Sequence, residues 1–111
     1  MPAIYNLVVP QATTFVFQFQ PQTDGTPWDL EGYTATMTVR PFAGALTTTL
    51  VATTENGKIV IDPVAENVTV TLSALDTALK PESYVYDFML YSGEVTRLLE
   101  GKFLVTAGVT V

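Results

Sequence analysis

Apolar and polar residues alternate along several short stretches of this chain, and the longest such pattern covers residues 83–105. Two alternating runs flank Ser92-Gly93, an arrangement typical of a β-hairpin. Pairing Leu90 with Val95 across a four-residue loop places eight apolar side chains on one face, which is expected to lie in the core: Tyr84, Tyr86, Phe88, Leu90, Val95, Leu99, Phe103 and Val105. The opposite face mixes charged and apolar residues. A sheet with two unequal faces requires a second layer of structure against its apolar face.

Shorter alternating or β-branched stretches predict the remaining strands. In one of them, Phe15, Phe17 and Phe19 point inward while their neighbours are mostly polar. Two others flank Asn56-Gly57, a strong signal for a two-residue hairpin turn, so we expect those two strands to pair. The predicted strands outside the central hairpin are residues 4–9, 13–20, 33–40, 46–54, 59–61, 68–72 and 109–111, with a surface loop at 21–31.

One short helix is predicted at residues 74–79. Ser73 precedes it with a hydroxyl that can accept backbone N–H bonds, and Asp76 follows three residues later, as in a capping box. Pro81 ends the segment, because the residue before a proline disfavours the helical conformation. Together these elements predict an all-β fold, an antiparallel β-sandwich of the immunoglobulin-like or jelly-roll-like kind, with the helix as a corner between sheets.

The 111 residues are expected to form one domain, 1–111, in which residues 1–10 are an edge strand or a docking arm. Pro10 ends the apolar stretch 4–9, and proline is tolerated at sheet edges. Such apolar side chains must be covered either by the chain's own sheet or by a neighbouring subunit. The predicted core contains Phe15, Phe17, Phe19, Met37, Tyr86, Phe88, Leu99 and Phe103.

Composition argues against several classes of function. The chain has no cysteine and no histidine, which excludes disulfides, thiolate or imidazole zinc sites and a serine-hydrolase triad. A net charge of -6 with scattered basic residues argues against nucleic-acid binding. No apolar run approaches the roughly 20 residues of a membrane span. We therefore expect no enzyme activity, no metal, no cofactor, no nucleic-acid partner and no membrane association.

The acidic loop 21–31 offers one candidate cation site. Asp24, Asp29 and Glu31 supply carboxylate oxygens, which are the ligands that calcium prefers. Their spacing does not match an EF-hand loop. The favoured interpretation is a solvated loop that carries Trp28 as a packing or contact residue.

The central hairpin offers a second candidate, a carboxylate pair for glycoside hydrolysis formed by Asp87 with Glu94 or Glu100. Such catalysis needs a cleft and a carboxyl group whose pKa is raised by burial. A simpler interpretation pairs Asp87 with Lys102 or an arginine. In the pairing above Arg97 points to the side of Phe88, so either its stem is buried at the rim or the register is off by one. A salt bridge from Arg97 to another subunit is a further alternative.

Several short motifs carry a family resemblance. They are Asp29-Leu30-Glu31-Gly32-Tyr33 leading to Val39-Arg40, Ser73-Ala74 with Thr77-Ala78, Tyr84-Val85-Tyr86-Asp87-Phe88, and Gly93-Glu94-Val95-Thr96-Arg97-Leu98-Leu99-Glu100-Gly101. In this order they resemble small β-sandwich proteins of tailed bacteriophages. Their spacing is also similar to the N-terminal domain of siphophage upper baseplate proteins, which attaches receptor-binding proteins to the tail. The resemblance covers residues 13–109.

This resemblance implies a non-enzymatic virion structural protein, made in the bacterial host cytoplasm. The chain ends where the longer proteins continue into a helical or fibre segment, which argues against the receptor-binding role and leaves an adaptor or decoration role. A tail, baseplate or fibre adaptor is the first expectation. Its partners would be further copies of itself, as a homo-oligomer, and other virion proteins. The interface candidates are Ile4, Tyr5, Leu7, Val9, Trp28, Asp29, Arg40 and Arg97.

Two alternatives stay open at this point. One is a capsid decoration protein, of the cement or head-fibre kind. The other is a carbohydrate-binding module making weak surface contact with a glycan, for which the aromatic candidates are Trp28, Tyr33, Tyr91 and Phe42. The number of copies per virion would distinguish a capsid decoration protein from a tail adaptor. An exposed platform of aromatic side chains would favour the carbohydrate-binding module.

Overall fold

The computed structural model describes residues 3–107 and shows an all-β chain with eleven strands and no helix in that range. The strands are β1 (Ala3–Ile4), β2 (Leu7–Pro10), β3 (Phe15–Phe19), β4 (Gln22–Thr23), β5 (Thr26–Pro27), β6 (Thr34–Arg40), β7 (Leu50–Thr53), β8 (Ile59–Asp62), β9 (Asn67–Leu72), β10 (Ser83–Tyr91) and β11 (Val95–Thr106). The alternating stretches therefore form strands as expected. The predicted strand at 109–111 lies outside the described residues.

The larger sheet has the order β1-β11-β10-β6-β7, and β2 also pairs with β11. Both N-terminal strands run parallel to β11, with Ala3 opposite Leu99 and Leu7 opposite Phe103. The other pairs in this sheet are antiparallel. Residues 3–4 and 7–10 thus form an edge of the chain's own sheet.

This edge is interrupted where the chain passes Gly101. The backbone N–H of Tyr5 donates to the Glu100 carbonyl at 2.9 Å, and the side-chain oxygen of Asn6 accepts from the Lys102 N–H at 2.9 Å. A Cβ at Gly101 would lie 2.5 Å from the Tyr5 carbonyl oxygen. Glycine is therefore needed at this position for close backbone approach.

A second sheet has the order β3-β9-β8, and β4 and β5 form a separate two-stranded ribbon within the loop 21–31. The expected pairing of β7 with β8 is wrong, because β7 pairs with β6 and β8 pairs with β9. The turn itself forms, but the Asn56 side-chain oxygen accepts from the N–H groups of Thr53 and Lys58, at 3.0 and 3.1 Å. Backbone groups that a hairpin would pair are thus satisfied by a side chain, and the chain crosses to the other sheet.

The central hairpin of β10 and β11 forms, but its expected register is wrong at the turn. Tyr91 pairs with Val95, so the loop has three residues, and Val95 is 63% exposed. A β-bulge then shifts the register between Phe88 and Met89. Beyond the bulge Phe88 pairs with Leu99. The bulge therefore places the side chains of the second half of β11 on the face of the sheet where they were expected.

The short helix expected at 74–79 is also wrong, since this segment forms a turn. The capping box is present: Ser73 Oγ accepts from the Asp76 N–H at 3.1 Å and Asp76 Oδ2 accepts from the Ser73 N–H at 3.0 Å. However, Thr77 is completely buried, its hydroxyl donates to the Thr13 carbonyl at 2.6 Å, and its own carbonyl accepts from Ala12. These long-range bonds hold the segment as one turn, because a longer helix must have free carbonyls to propagate.

Side chains from both sheets belong to one hydrophobic cluster. Its buried members are Leu7, Val9, Leu30, Ala35, Met37, Val39, Ala52, Ile59, Val68, Val70, Leu72, Tyr84, Tyr86, Phe88, Leu90, Phe103 and Val105. The rings of Phe19 and Phe88 meet edge to face at 5.2 Å between centroids. Of the predicted core, Met37, Tyr86, Phe88 and Phe103 are buried, whereas Phe15, Phe17, Phe19 and Leu99 are half-buried against the cluster.

Candidate functional site

A groove of about 580 Å³ lies on the outer face of the larger sheet, the face turned away from the core. We call it the outer groove. It is lined by residues of β1, β6, β10 and β11, of the connection between β1 and β2 and of the loop after β6: Ile4, Asn6, Thr38, Arg40, Ala43, Gly44, Val85, Tyr86, Asp87, Arg97, Glu100, Gly101 and Lys102.

Cross-strand pairing aligns the groove side chains in rows, because directly paired residues share a face. The first row crosses three strands as Arg40, Val85 and Lys102. A second row, two residues further along β10, contains Asp87 opposite Glu100. The first row therefore places one cation on each side of an apolar residue.

A third row carries Arg97, which pairs with Met89 and so lies on the outer face beside the two acids. Its Nε lies 4.0 Å from Asp87 Oδ2, and its Nη1 lies 3.9 Å from Glu100 Oε1. The Arg97 side chain is 51% exposed, so these long pairs contribute little to stability. Of the two sequence alternatives for Arg97, the shifted register is confirmed.

The outer groove differs in charge from the rest of the chain. Three basic and two acidic residues line it, a balance of +1, whereas the whole chain carries -6. Arg97 accounts for the ion pairs of both acids. Arg40 and Lys102 form no ion pair with any residue between 3 and 107. Two cations are thus available to an anionic group from outside.

The edge beside the groove is fixed by Tyr86, whose hydroxyl donates a hydrogen bond to the Tyr5 carbonyl oxygen. Burial, together with the charge that Tyr5 would carry, raises the pKa of Tyr86 to about 12. The phenol therefore stays protonated and remains a donor at ordinary pH. This bond holds the segment that presents Ile4 at the groove.

The interface candidates fall into four groups. Ile4, Arg40 and Arg97 converge on the outer groove, and Ile4 is 75% exposed. Tyr5 is exposed, although its ring lies 6.3 Å from that of Phe17. Leu7 and Val9 are buried in the chain's own core.

Trp28 and Asp29 form the fourth group and do not line the groove. The Trp28 indole donates to Thr23 Oγ1 at 2.7 Å, and the ring packs partly against the core. The Asp29 carboxylate accepts from the Glu31 N–H at 3.1 Å, which stabilises the local turn. Among the residues that the structure describes, no group of three or more acidic side chains could hold a metal ion.

Sequence reasoning missed Lys102, Val85 and Asn6 as groove residues. The sequence suggests Lys102 as an ion-pair partner of Asp87, whereas the observed register places it across from Val85. These residues could be identified only from the register of β10 and β11, because that register, with its bulge, aligns Val85 with Lys102.

The aromatic residues considered for glycan binding do not form one exposed platform. Phe42 is 63% exposed, whereas Trp28, Tyr33 and Tyr91 are half-buried. Glycan modules require ring faces open to the ligand. This arrangement does not favour the carbohydrate-binding alternative.

Between residues 3 and 107 there is no helix long and apolar enough to cross a membrane. Comparison with known protein families finds no family model that matches the chain, and comparison with curated proteins finds no significant match. The similarity to phage structural proteins therefore stays a prediction, and the geometry of the outer groove is the main guide to function.

Proposed function

We propose that this chain is a non-enzymatic structural protein of a tailed-bacteriophage virion, acting as a tail, baseplate or fibre adaptor through protein–protein contacts. The proposal joins the motif resemblance to the surface described above. We further infer that the two sheets pack face to face as a β-sandwich, since both supply side chains to one core.

The observation that carries this proposal is the apolar rim of the outer groove. Ile4 lines the groove and is 75% exposed. In sequence, Phe42 directly precedes the lining residues Ala43 and Gly44 and Leu46 follows them by two residues, and these two side chains are 63% and 100% exposed. Exposed apolar side chains grouped beside a concave charged surface are characteristic of protein contact sites. A well-packed core beneath them supplies a rigid mount, so the contact costs little conformational entropy.

Capsid decoration is the alternative, because a decoration protein would use the same kind of surface. The two differ in position and in copy number. A neighbouring gene for a fibre or baseplate protein would favour the tail, and a neighbouring major capsid gene would favour decoration.

The experiment is incorporation of a double variant, Ile4→Ser with Phe42→Ser, into virions during infection. Both side chains are exposed, so the free energy of unfolding should change by no more than about 0.5 kcal/mol, as for ordinary surface substitutions. The melting temperature should therefore change little. Incorporation should fall strongly. The matched control is Val64→Ser, which removes a 92% exposed apolar side chain from the turn between β8 and β9. Equal incorporation of the double variant and the control would contradict the proposal.

A further inference from the structure

Charged residues are distributed unequally along the strand direction of the larger sheet. Thr34 pairs with Tyr91, and the Thr54 N–H donates to the Ala35 carbonyl, so the segments next to these residues meet at one end of the sheet. That end carries exposed carboxylates from three different loops: Glu31, Glu55 and Glu94. We call it the acidic end. None of the three forms an ion pair with a described residue.

The unpaired cations lie toward the opposite end. Arg40 is six residues beyond Thr34 on β6, a distance of about 20 Å along an extended strand. Lys102 lies in the same row, across Val85. Two strand spacings separate the two cations, or about 10 Å, so both can contact one acidic loop or two adjacent ones.

Each end also carries exposed apolar surface next to its charges. Ile4 lines the groove together with the two cations, and exposed Phe42 follows Arg40 by two residues. At the other end Val95, 63% exposed, follows Glu94 directly. An interface needs such surface because charge pairs at a protein surface contribute mainly specificity and association rate. Both ends thus have the composition of one half of a contact.

We propose that the outer groove of one copy binds the acidic end of the next copy, with Arg40 and Lys102 receiving carboxylates of Glu31, Glu55 or Glu94. The groove carries +1 and the whole chain -6, so everything outside the groove carries -7. A second copy is therefore itself the anionic partner that the groove requires. Arg40 and Lys102 lie about 20 Å along the strands from the acidic end, so they cannot pair with its carboxylates within a single molecule.

Joining two different surfaces gives a head-to-tail contact, which produces a ring if the rotation closes and a filament if it does not. This inference rests on the proposed assembly function, and it names the surfaces through which copies would join. It also predicts strong salt dependence, because exposed charge pairs are screened over about 8 to 10 Å at physiological ionic strength.

The test uses charge reversal at each surface, followed by sedimentation velocity of the purified protein over a range of concentrations. Arg40→Glu with Lys102→Glu reverses the groove, and Glu31→Lys with Glu94→Lys reverses the acidic end. Each double variant alone should self-associate at least about tenfold more weakly than the wild type. A one-to-one mixture of the two should associate again, because each reversed surface then meets its complement. The control is Lys80→Glu, which changes an exposed lysine outside the groove and should leave association unchanged.

Thermal melts verify that each variant folds. If a reversal variant is unfolded, Arg40→Gln with Lys102→Gln and the salt dependence of the wild type provide the same comparison. Wild-type protein that stays monomeric at low salt would overturn the inference, and so would groove variants that associate normally or a Lys80→Glu variant that is equally weakened. A monomer that still enters virions through Ile4 and Phe42 would overturn head-to-tail contact alone and leave the proposed function standing.

Discussion

Gly101 offers the sharpest test of how the N-terminal edge is held on the larger sheet. A Cβ at this position would lie 2.5 Å from the Tyr5 carbonyl oxygen and 2.9 Å from Asn6 Oδ1. The neighbour in contact is mainly backbone, so it cannot move aside as a flexible side chain would. Gly101→Ala must therefore displace the segment that joins β1 to β2.

The expected cost follows from what that segment contributes. A local shift that keeps β2 docked costs about 1 to 3 kcal/mol, as overpacking generally does. Complete detachment would also expose Leu7 and Val9, and each loses about 1.5 to 3 kcal/mol of burial free energy. The sign of the change in unfolding free energy shows whether the Cβ is obstructed. In an unobstructed strand, replacing glycine by alanine raises stability by about 0.5 to 1 kcal/mol, whereas here it should lower it.

The assay is urea unfolding of Gly101→Ala combined with amide hydrogen exchange. We expect lower stability together with faster exchange at the Tyr5 and Lys102 amides, which are bonded across this approach, while β6 amides change only with global stability. The matched control is Gly93→Ala: the φ of +77 at this position would strain an alanine, but the added Cβ would meet nothing within 4 Å. The control should lose about 1 to 2 kcal/mol without selective exchange at Tyr5. A Gly101→Ala protein as stable as the wild type would refute this account of the edge.

Three further predictions concern the core and two titrating groups. Phe88→Ala, at a completely buried position, should lower the free energy of unfolding by about 3 to 5 kcal/mol, and an unchanged urea midpoint would contradict its place in the core. Tyr86→Phe removes the bond to Tyr5 and should cost about 0.5 to 1.5 kcal/mol. Because the pKa of Tyr86 is raised from 10.0 to about 12, its contribution is present below pH 10 and is lost as pH rises toward 12, so the variant should show less alkaline loss. Burial opposes ionisation of Asp76, but bonds from Lys58 and Ser73 hold its pKa below the usual 3.8; its contribution is therefore present above pH 3.8 and lost in stronger acid. Urea unfolding of Asp76→Asn across that acid range should show a flatter pH dependence, and an unchanged slope would refute the assignment.

Local pattern was sufficient to predict most strands, because alternation records which face of a strand is buried. The three phenylalanines of β3 and the run from Tyr84 to Leu90 follow the predicted faces. Pairing between strands was harder to predict. The Asn56-Gly57 turn has the sequence of a hairpin, yet the Asn56 side chain takes up the backbone groups and the chain changes sheets.

The outer groove could not be predicted for the same reason. Its row of Arg40, Val85 and Lys102 exists only in the observed register, which depends on a bulge between Phe88 and Met89 that alternation does not reveal. The predicted helix failed through tertiary contact, because buried Thr77 bonds to Thr13 over a long sequence separation. Ile4, Arg40 and Arg97 are among the predicted interface candidates, and the structure brings these three to one groove.

Quantitative mass spectrometry of purified virions tests the central claim most directly. A tail, baseplate or fibre adaptor should be present in fixed copy number, on the order of three to eighteen per particle by the ring symmetries open to it. Copy numbers in the hundreds would contradict the tail position and favour capsid decoration. Absence of the chain from virions that carry their other structural proteins would contradict the account as a whole.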